Sequence, residues 1–454
     1  MNLILTCAYR LETELIEHII LLKAPLPYEF FRTKDQSMTH KKIVITGASG
    51  FVGRQLVPLL AQKGAVLLLV GRQVSKLNER FPQHMCCEYS GIVEHARGFD
   101  QLVHLAALNN DEHAEYDQFR AINVDLLVST VQLAKEAKIS RFINVSSIHT
   151  LDAKDQNSYA KSKREGLDAI KGDLDIAITT VFLPLVYSDV WAGKLGILNH
   201  LPRQMARLVF KPLAAIKPTL HAFKLANELY DGDLVEPELI LTDGQRHNIV
   251  YQAISRTMDL AFAVSIVVIF WWMLVLIGLL IRLRSDGPAI FLQNRVGQNG
   301  RVFTCIKYRT MAVGTAQVAS HEASPQSISP LGSFLRRYKL DELPQVWNIF
   351  LNQIKLIGPR PCLPTQLELI QLRRDRHVLD LKPGISGLSQ VAGIDMSNPH
   401  VLAILDSRYL NLQCLTLDLK IIVATLLGRG NGDRTGGGRP AELTSNSNTD
   451  GIGF

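Results

Sequence analysis

Short apolar runs alternate with longer amphipathic stretches from Lys42 to about residue 245 of this 454-residue chain. The apolar runs predict strands at 43–46, 66–70, 102–106 and 141–145. The stretches between them predict helices at 50–63 and 122–137. Strands separated by helices are typical of a parallel sheet with right-handed crossovers, so we predict an α/β, doubly wound fold for residues 38–250.

An uncharged apolar run from Leu260 to Ile281 follows. As a helix rising about 1.5 Å per residue it would be long enough to cross a bilayer, and its mid-chain position excludes a cleaved signal peptide. The centre of this run is Trp271-Trp272, and the run contains no proline that would bend a helix there. Arginines flank both ends of the run. A spanning helix, a re-entrant helix and a buried soluble helix all remain open.

Two amphipathic helices are predicted further along. The first follows Ser329-Pro330 and places on one face Leu331, Phe334, Leu335 and Tyr338. The second has the same spacing at Leu343, Val346, Trp347 and Phe350, and it opens with Asp341 and Glu342. The positive end of a helix dipole favours carboxylates, so helix capping alone explains this acidic pair. A catalytic pair is the alternative.

These patterns predict four segments. Residues 1–37 form an N-terminal extension, which is not native if Met38 is the true start. Residues 38–250 form the α/β domain, residues 251–429 form a mostly α, membrane-associated domain, and residues 430–454, rich in Gly, Ser, Asn and Thr, form a disordered tail.

Composition narrows the range of partners. The hydrophobic content of 47% is high for a soluble enzyme, and the basic surplus behind the net charge of +7 lies within residues 251–429. Such a surplus suits anionic lipid headgroups or phosphorylated substrates, and no nucleic-acid motif accompanies it, so we expect no nucleic-acid partner. Six cysteines without CxxC spacing indicate reduced thiols in a cytosolic compartment.

A glycine-rich turn joins the first predicted strand to the first predicted helix. It has the pattern GxxGxxG, and its predicted cofactor-binding residues are Gly47, Gly50, Phe51, Val52 and Gly53. The glycines permit a tight turn, a close backbone approach to a pyrophosphate and close helix–strand packing, as in a Rossmann-type dinucleotide site. The second strand ends at Arg72, where NAD sites usually carry an acid, so we favour NADP over NAD. An ordinary surface arginine is the alternative.

Tyr159 and Lys163 form a Tyr-x-x-x-Lys pair, which a helix places on one face, one turn apart. An ammonium near a phenol lowers the phenol's pKa, so Tyr159 would exchange a proton with a carbonyl or alcohol. Ser147, at the end of its predicted strand, would hold the same oxygen. We therefore predict Ser147, Tyr159 and Lys163 to be catalytic.

The stretches TGASGFVG (46–53), INVSS (143–147) and YAKSK (159–163) resemble the extended short-chain dehydrogenase/reductase family. The resemblance covers roughly residues 41–245 and is greatest to reductases and epimerases of nucleotide 4-keto-6-deoxy sugars. It implies a nicotinamide cofactor, NADP or NAD, held in part by Lys163. Leu183 stands where the family commonly has an arginine, and a non-catalytic domain is the alternative.

Several cations accompany the acidic pair. Rigid turns present Arg360, in Gly-Pro-Arg-Pro, and Lys382, in Lys-Pro-Gly, and further cations are Lys307 and Arg336. Carboxylates among cations beside a membrane segment suggest chemistry on a phosphate that Mg²⁺ can bridge.

The stretches LGSFLRRYKLDELPQVWN (331–348), IGPRP (357–361) and RHVLDLKPGISGLSQVAG (376–393) resemble the bacterial sugar transferases, which are monotopic polyprenyl-phosphate phosphoglycosyl transferases. The resemblance covers about residues 256–427. It implies that Asp341 is the nucleophile and contacts Mg²⁺, that Glu342 assists it, and that phosphates are held by Arg336, Arg360 and Lys307. It also implies a UDP-sugar, undecaprenyl phosphate and release of UMP.

The whole chain is thus predicted to be a bifunctional enzyme at the cytoplasmic face of a bacterial inner membrane. It would adjust a nucleotide sugar, load a phospho-sugar onto undecaprenyl phosphate, and hand its product to downstream glycosyltransferases. Two alternatives remain: a transferase with an inactive nucleotide-binding domain, and a tethered reductase whose second half is only an anchor.

Overall fold

The computed structural model describes residues 40–108, 114–173, 175–191, 193–315 and 328–429. The predicted extension at 1–37 and the predicted tail at 430–454 lie outside these residues. From Lys41 onward the chain forms one compact unit. We refer to residues 41–250 as the N-terminal half and to 251–429 as the C-terminal half; this division remains a prediction from the sequence.

Nine strands lie in the described part of the N-terminal half. They are β1 (Lys42–Thr46), β2 (Val66–Val70), β3 (Met85–Cys87), β4 (Gln101–His104), β5 (Arg141–Ser147), β6 (Ala177–Leu183), β7 (Leu185–Tyr187), β8 (Thr219–His221) and β9 (Glu238–Ile240). Seven of them form one sheet in the order β3-β2-β1-β4-β5-β6-β9, and every pairing in it is parallel. The predicted doubly wound fold is confirmed, and its strand order reverses between β1 and β4, where such folds bind ligands.

Helices cover both faces of this sheet. They are α1 (Phe51–Gln62), α2 (Val74–Arg80), α3 (Ile92–His95), α4 (Tyr116–Arg120), α5 (Leu126–Glu136), α6 (Ser158–Ile170), α7 (Arg203–Ile216) and α8 (Ala222–Asp231). Successive β1 side chains enter opposite cores: Ile43 and Ile45 pack on one face, and Val44 packs on the other. Burial on both faces explains why this strand is a continuous apolar run.

The C-terminal half combines short strands with helices. Its strands are β10 (Ile290–Val296), β11 (Val302–Tyr308), β12 (Lys355–Ile357) and β13 (Gly384–Ser386). Its helices are α9 (Ile249–Ile269), α10 (Trp271–Arg284), α11 (Pro330–Arg337), α12 (Val346–Phe350), α13 (Leu367–Asp375), α14 (Leu388–Val391), α15 (Pro399–Leu412) and α16 (Leu415–Leu426). Strands β10 and β11 form an antiparallel hairpin, whereas β12 and β13 pair in parallel.

The long apolar segment is interrupted at Phe270, whose φ of −108° and ψ of 17° lie outside the helical range. Ala263 on α9 packs against Val346 and Ile349. Beyond the break, Ile277 on α10 packs against Tyr308 and Leu335. Because the two helices bury side chains on different parts of one domain, tertiary packing accounts for a break that has no proline in it.

Apolar side chains remain exposed around this break. Those at least 45% exposed are Val264, Val268, Ile269, Trp271, Trp272, Val275, Leu276, Leu279 and Leu283. We call residues 264–283 the apolar tip. Within the described residues, Ile249–Ile269 is the one helix whose length and composition would allow it to cross a membrane.

The two halves share a hydrophobic core. Phe182 and Ile240, from the far edge of the parallel sheet, pack with Ile357, Tyr409 and other residues of the C-terminal half. The Thr242 hydroxyl donates to the Asn411 carbonyl at 2.7 Å, across the same junction. The junction is therefore a packed interior and not a flexible linker.

Candidate active sites

The glycine loop lies between β1 and α1, at the reversal of strand order. Gly47 has a φ of +71°, and a side chain there would lie 2.6 Å from the Ala106 backbone nitrogen. Helix α1 begins at Phe51 with no side chain capping its first turn. Its first N–H groups are thus available to an anion such as a pyrophosphate, and the loop fits a dinucleotide. Arg72 is exposed directly after β2.

The structure brings Ser147, Tyr159 and Lys163 together as predicted. Ser147 ends β5, Tyr159 lies in the first turn of α6, and the Ser147 hydroxyl is close enough to influence the pKa of Tyr159. The buried Lys163 ammonium donates to the Val145 carbonyl at 3.3 Å. This arrangement places a phenol, a hydroxyl and an ammonium at the carboxyl end of one strand.

The titration of this trio differs from the prediction. Burial raises the pKa of Tyr159, and the Ser147 hydrogen bond opposes that rise. Burial also lowers the pKa of Lys163 to about 8. The Lys163 ammonium thus contacts the strand backbone, and its predicted effect on the Tyr159 phenol remains a prediction.

Two further residues of this site were not predicted from the sequence. Buried Asn123 accepts from the Leu108 N–H at 3.0 Å and donates to the Ser162 hydroxyl at 2.9 Å. It lies in a π-helical turn, Ala121–Asp125, a kind of turn that often occurs at functional sites. His104 is buried beside the Thr46 hydroxyl, and burial lowers the pKa of His104 to about 3.

Glu342 of the acidic pair is held by cations from two separate segments. One oxygen of Glu342, Oε1, accepts from Lys307 Nζ on β11 and from Arg360 Nη2 in the Gly-Pro-Arg-Pro loop, at 3.0 Å each. The Glu342 side chain is 7% exposed, whereas Asp341 is partly exposed. The other Glu342 oxygen, Oε2, is buried and has no hydrogen-bond partner among the described residues.

The two carboxyl groups are pushed toward different protonation states. Burial and the neighbouring Glu342 charge raise the pKa of Asp341 to about 6, although Lys307, Arg336 and Arg360 oppose the rise. Burial would raise the pKa of Glu342, but the charges of Arg360 and Lys307 overcome it and lower this pKa below its usual range. Glu342 is thus a fixed anion, and Asp341 titrates closer to neutrality.

The local structure around this pair differs from the predicted α-helix. Lys339 has a left-handed φ of +55°, and Leu340–Gln345 form a 3₁₀ turn before α12. Pro344 lacks the N–H that an α-helix would use there, which favours the tighter turn. Buried Asn348 joins α12 to β11 by accepting from the Ile306 N–H and donating to the Thr304 carbonyl. These two hydrogen bonds fix α12 against β11 and so place Glu342, which precedes α12, opposite Lys307.

Arg336 lies near the pair but contacts neither carboxylate in a hydrogen bond that the structure describes. Its Nε donates to the Thr310 hydroxyl at 2.9 Å, and its buried Nη1 has no partner among the described residues. A guanidinium with one unused buried donor is suited to an incoming phosphate. Its predicted role as a phosphate ligand remains a prediction.

Buried arginines support the Arg360 loop. Arg295, which the sequence pattern suggested was a charge flanking the membrane segment, is buried in β10 and donates to the Pro361 carbonyl at 3.0 Å. Arg373 donates to the Arg360 carbonyl at 2.9 Å and is paired with buried Asp406 at 2.7 Å. Both arginines are buried, and both donate hydrogen bonds to backbone carbonyls of the Arg360 loop.

Two glycine-containing loops interlock behind Arg360. A side chain at Gly384 would lie 2.1 Å from the Gly358 nitrogen, and one at Gly358 would lie 2.6 Å from the Lys382 carbonyl. The Lys-Pro-Gly turn thus fixes the path of the Gly-Pro-Arg-Pro loop, which orients Arg360 toward Glu342.

These features define a class of protein with two parts. The first part is a parallel, doubly wound sheet with a glycine loop. The second is a mostly helical part that carries an acidic pair, surrounding cations and the apolar tip. Comparison with known proteins agrees with both parts. Residues 43–168 match the NAD dependent epimerase/dehydratase family, and residues 250–429 match the bacterial sugar transferase family. The chain belongs to the bacterial sugar transferase family.

Individual relatives support this membership. The chain is 37% identical over 123 residues to a Bacillus subtilis (strain 168) protein named "Putative undecaprenyl-phosphate N-acetylgalactosaminyl 1-phosphate transferase", covering 27% of this chain and 69% of that one. It is 32% identical over 279 residues to the UDP-glucose:undecaprenyl-phosphate glucose-1-phosphate transferase of Xanthomonas campestris pv. campestris, covering 58% and 57% of the two chains. A Haemophilus influenzae sugar transferase is matched over only 40% of its length, so this chain spans less than two thirds of several relatives.

Among solved structures, a UDP-N-acetylglucosamine 4-epimerase from Bacillus cereus is 16% identical, with a TM-score of 0.35 over 45% of this chain and 79% of that one.

Proposed function

We propose that the C-terminal half transfers a phospho-sugar from a UDP-sugar to undecaprenyl phosphate through a covalent intermediate on Asp341. The observation that carries this proposal is the buried Glu342 carboxylate, ion-paired with Lys307 and Arg360 beside a partly exposed Asp341. Relatives in this family are named as undecaprenyl-phosphate sugar phosphotransferases. The acidic pair supplies a nucleophile, and the surrounding cations supply charge for a pyrophosphate.

In the first step an ionised Asp341 oxygen attacks the β-phosphorus of the UDP-sugar. A phosphorus–oxygen bond forms, the bond from that phosphorus to the bridging oxygen breaks, and UMP leaves. In the second step an oxygen of the lipid phosphate attacks the same phosphorus and displaces Asp341 as a carboxylate. Arg360 and Arg336 hold phosphate charge during both steps.

Mg²⁺ fits this site by its chemistry. Glu342 Oε2 is buried without a described partner, and the Asp341 carboxylate precedes it. Mg²⁺ is usually held by one or two carboxylates together with substrate phosphates, so it needs no larger protein cage. Bound at Asp341, the ion would neutralise part of the pyrophosphate charge.

We further propose that the apolar tip enters the cytoplasmic leaflet of the inner membrane and returns. The interruption at Phe270 and the exposed apolar side chains on both sides of it support a re-entrant segment over a simple span. A cytoplasmic position gives both halves access to cytosolic nucleotides, and the lipid product would pass to downstream glycosyltransferases.

Release of UMP tests the transferase proposal. The full chain in detergent, supplied with Mg²⁺, undecaprenyl phosphate and a panel of UDP-sugars, should release UMP with at least one sugar. Without undecaprenyl phosphate, release should stop at about one UMP per protein molecule, because the covalent intermediate cannot then be discharged. Continued turnover without the lipid phosphate, or no release with any sugar, would contradict the proposal.

A second activity is supported by Ser147 at the end of β5, Tyr159 in the first turn of α6 and the buried Lys163 on the same helix. We propose that the N-terminal half binds NADP and reduces or epimerises a nucleotide 4-keto-6-deoxy sugar. The glycine loop would hold the pyrophosphate, and the cofactor would supply the hydride. Tyr159 would exchange a proton with the sugar oxygen, and Ser147 would hold that oxygen.

Cofactor choice tests the role of Arg72. Arg72→Ala should weaken NADPH binding about tenfold while NADH binding changes little, because the guanidinium recognises only the 2′-phosphate. Fluorescence titration of the full chain with each cofactor measures this, and equal losses for both would assign Arg72 no part in the choice.

A further inference from the structure

A cavity of about 470 Å³ lies between the two halves, away from both candidate active sites. Lys224, Asp243 and Gln245 line it from the N-terminal half, and Arg256, Lys355 and Lys382 line it from the C-terminal half. Its volume is within the range of small-molecule sites. We call it the interdomain cavity.

Three cations converge on its C-terminal wall. Lys382 Nζ donates to Asn352 Oδ1 at 2.7 Å, Arg256 donates to the Ile349 carbonyl at 2.9 Å, and Lys355 lies 5.0 Å from the centre of the Tyr251 ring. Asp259 lies on the same wall, and its Oδ1 accepts from the Leu356 N–H at 2.8 Å. Burial lowers the pKa of Lys382, and the charges of Arg256 and Lys355 lower it further. The lining that the structure describes holds five cations, since Lys224 and Arg246 join these three, against the three carboxylates of Asp243, Asp259 and Asp380. That difference leaves a positive surplus that an anion would offset.

The wall also offers a neutral acceptor. Gln245 is 4% exposed, and its amide nitrogen donates to the Ala214 carbonyl, whereas its Oε1 has no partner among the described residues. Leu381 and Leu410 are the aliphatic side chains among the described lining residues, and most of the other lining residues are polar or charged. Cations on one wall and a buried acceptor on another match a molecule with both phosphates and N–H or O–H groups.

We propose that the interdomain cavity binds a nucleoside diphosphate or its sugar ester, with the pyrophosphate on Arg256, Lys355 and Lys382. This site is additional to the two proposed active sites and requires neither to turn over. Its occupant would contact the Lys-Pro-Gly turn that packs on the Arg360 loop, so binding there would also steady Arg360.

Lysine modification read by mass spectrometry tests the site without any turnover. The full chain in detergent is treated with an amine-acetylating reagent, with and without UDP, and the rates are followed at Lys382, at Lys307 in the acidic-pair site and at exposed Lys217. We expect UDP to slow modification of Lys382 at least fivefold and to leave Lys217 unchanged. An unchanged rate at Lys382 would overturn the proposal.

A matched pair of variants separates this site from the active site. Lys355→Gln should raise the UDP concentration that half-protects Lys382 at least fivefold, without moving the value for Lys307. Lys217→Gln, the control, should alter neither. Equal shifts at Lys382 and Lys307 would mean that one nucleotide site explains both and would overturn the proposal.

Two other probes identify the source of the phosphate. Inorganic pyrophosphate should protect Lys382 at higher concentration than UDP, and protection by UDP alone would refute recognition through the pyrophosphate. Protection that requires phosphatidylglycerol vesicles, with none from UDP, would assign the cavity to a lipid headgroup and overturn the proposal.

Discussion

Glu342 in the C-terminal half and Lys163 in the N-terminal half are both buried ionisable groups that serve a more exposed neighbour, yet their surroundings differ. Glu342 receives two cations on one oxygen, and their charges hold it ionised. Lys163 donates to a backbone carbonyl, and burial brings its pKa down to about 8. The first group is locked in one charge state, whereas the second lies close to changing its state.

This difference separates two ways of building a reactive site. A locked charge such as Glu342 sets a constant field, and the reactive group beside it, Asp341, titrates against that field. A poised charge such as Lys163 can itself follow the proton of the reaction. The experiments below test each site against the other within one chain.

Loss of the Asp341 carboxylate should have the largest effect. Asp341→Asn should reduce UMP release by at least about 1000-fold, because the amide cannot form the phosphoryl intermediate. NADPH consumption by the same preparation should stay at the wild-type rate. A variant that still releases UMP at a tenth of the normal rate would mean that Asp341 is not the nucleophile.

Tyr159→Phe should give the reciprocal result. Removing the phenol should slow NADPH consumption with a nucleotide 4-keto sugar about 100-fold or more, in the range expected for a lost general acid. UMP release should be unchanged. If the wild-type chain consumes no NADPH with any such sugar, the N-terminal half is a binding domain only.

Glu342→Gln probes the locked charge through stability. The substitution removes the carboxylate charge that faces the largely buried Lys307 and Arg360 cations, so the free energy of unfolding should fall by about 3 kcal/mol. Denaturant unfolding of the full chain measures the change. Glu368→Gln, which removes a carboxylate 65% exposed beside His400, is the control and should have no measurable effect. Equal stability of the two variants would refute the locked charge.

The pH dependence of UMP release should show the smallest shift. Asp341 must be ionised to attack, and its pKa is raised to about 6, so the rate should rise as pH increases through about 6 and fall below it. The Arg336 charge lowers this pKa, so Arg336→Gln should move the rising limb to higher pH. A limb that stays in place or moves to lower pH would contradict the electrostatic account.

Features set by neighbouring residues could be predicted from the sequence. The glycine loop depends on a strand before it and a helix after it, and Tyr159 and Lys163 depend on a single helical turn. Both are local rules, and the structure places both as expected. The parallel sheet likewise follows from the alternation of strands and helices.

Features set by distant residues could not be predicted in the same way. Lys307 and Arg360 were predicted to be phosphate-binding cations. Their contacts with Glu342, however, depend on the hydrogen bonds of Asn348 to β11 and on the close packing of Gly358 against Gly384. The same limit applies to Arg295, whose burial depends on the Pro361 carbonyl 66 residues away. The break at Phe270 depends on packing against two separate surfaces, and no breaker residue signals it.

The core that joins Phe182 and Ile240 to Ile357 and Tyr409 constrains how this chain can change over evolution. Recombination that exchanged only one half would bring a foreign surface against these four side chains and expose or crowd them. Substitutions inside either site leave these contacts in place, whereas exchange of one half alone replaces one side of the shared core. The shared core therefore ties the sequence of each half to that of the other at these positions.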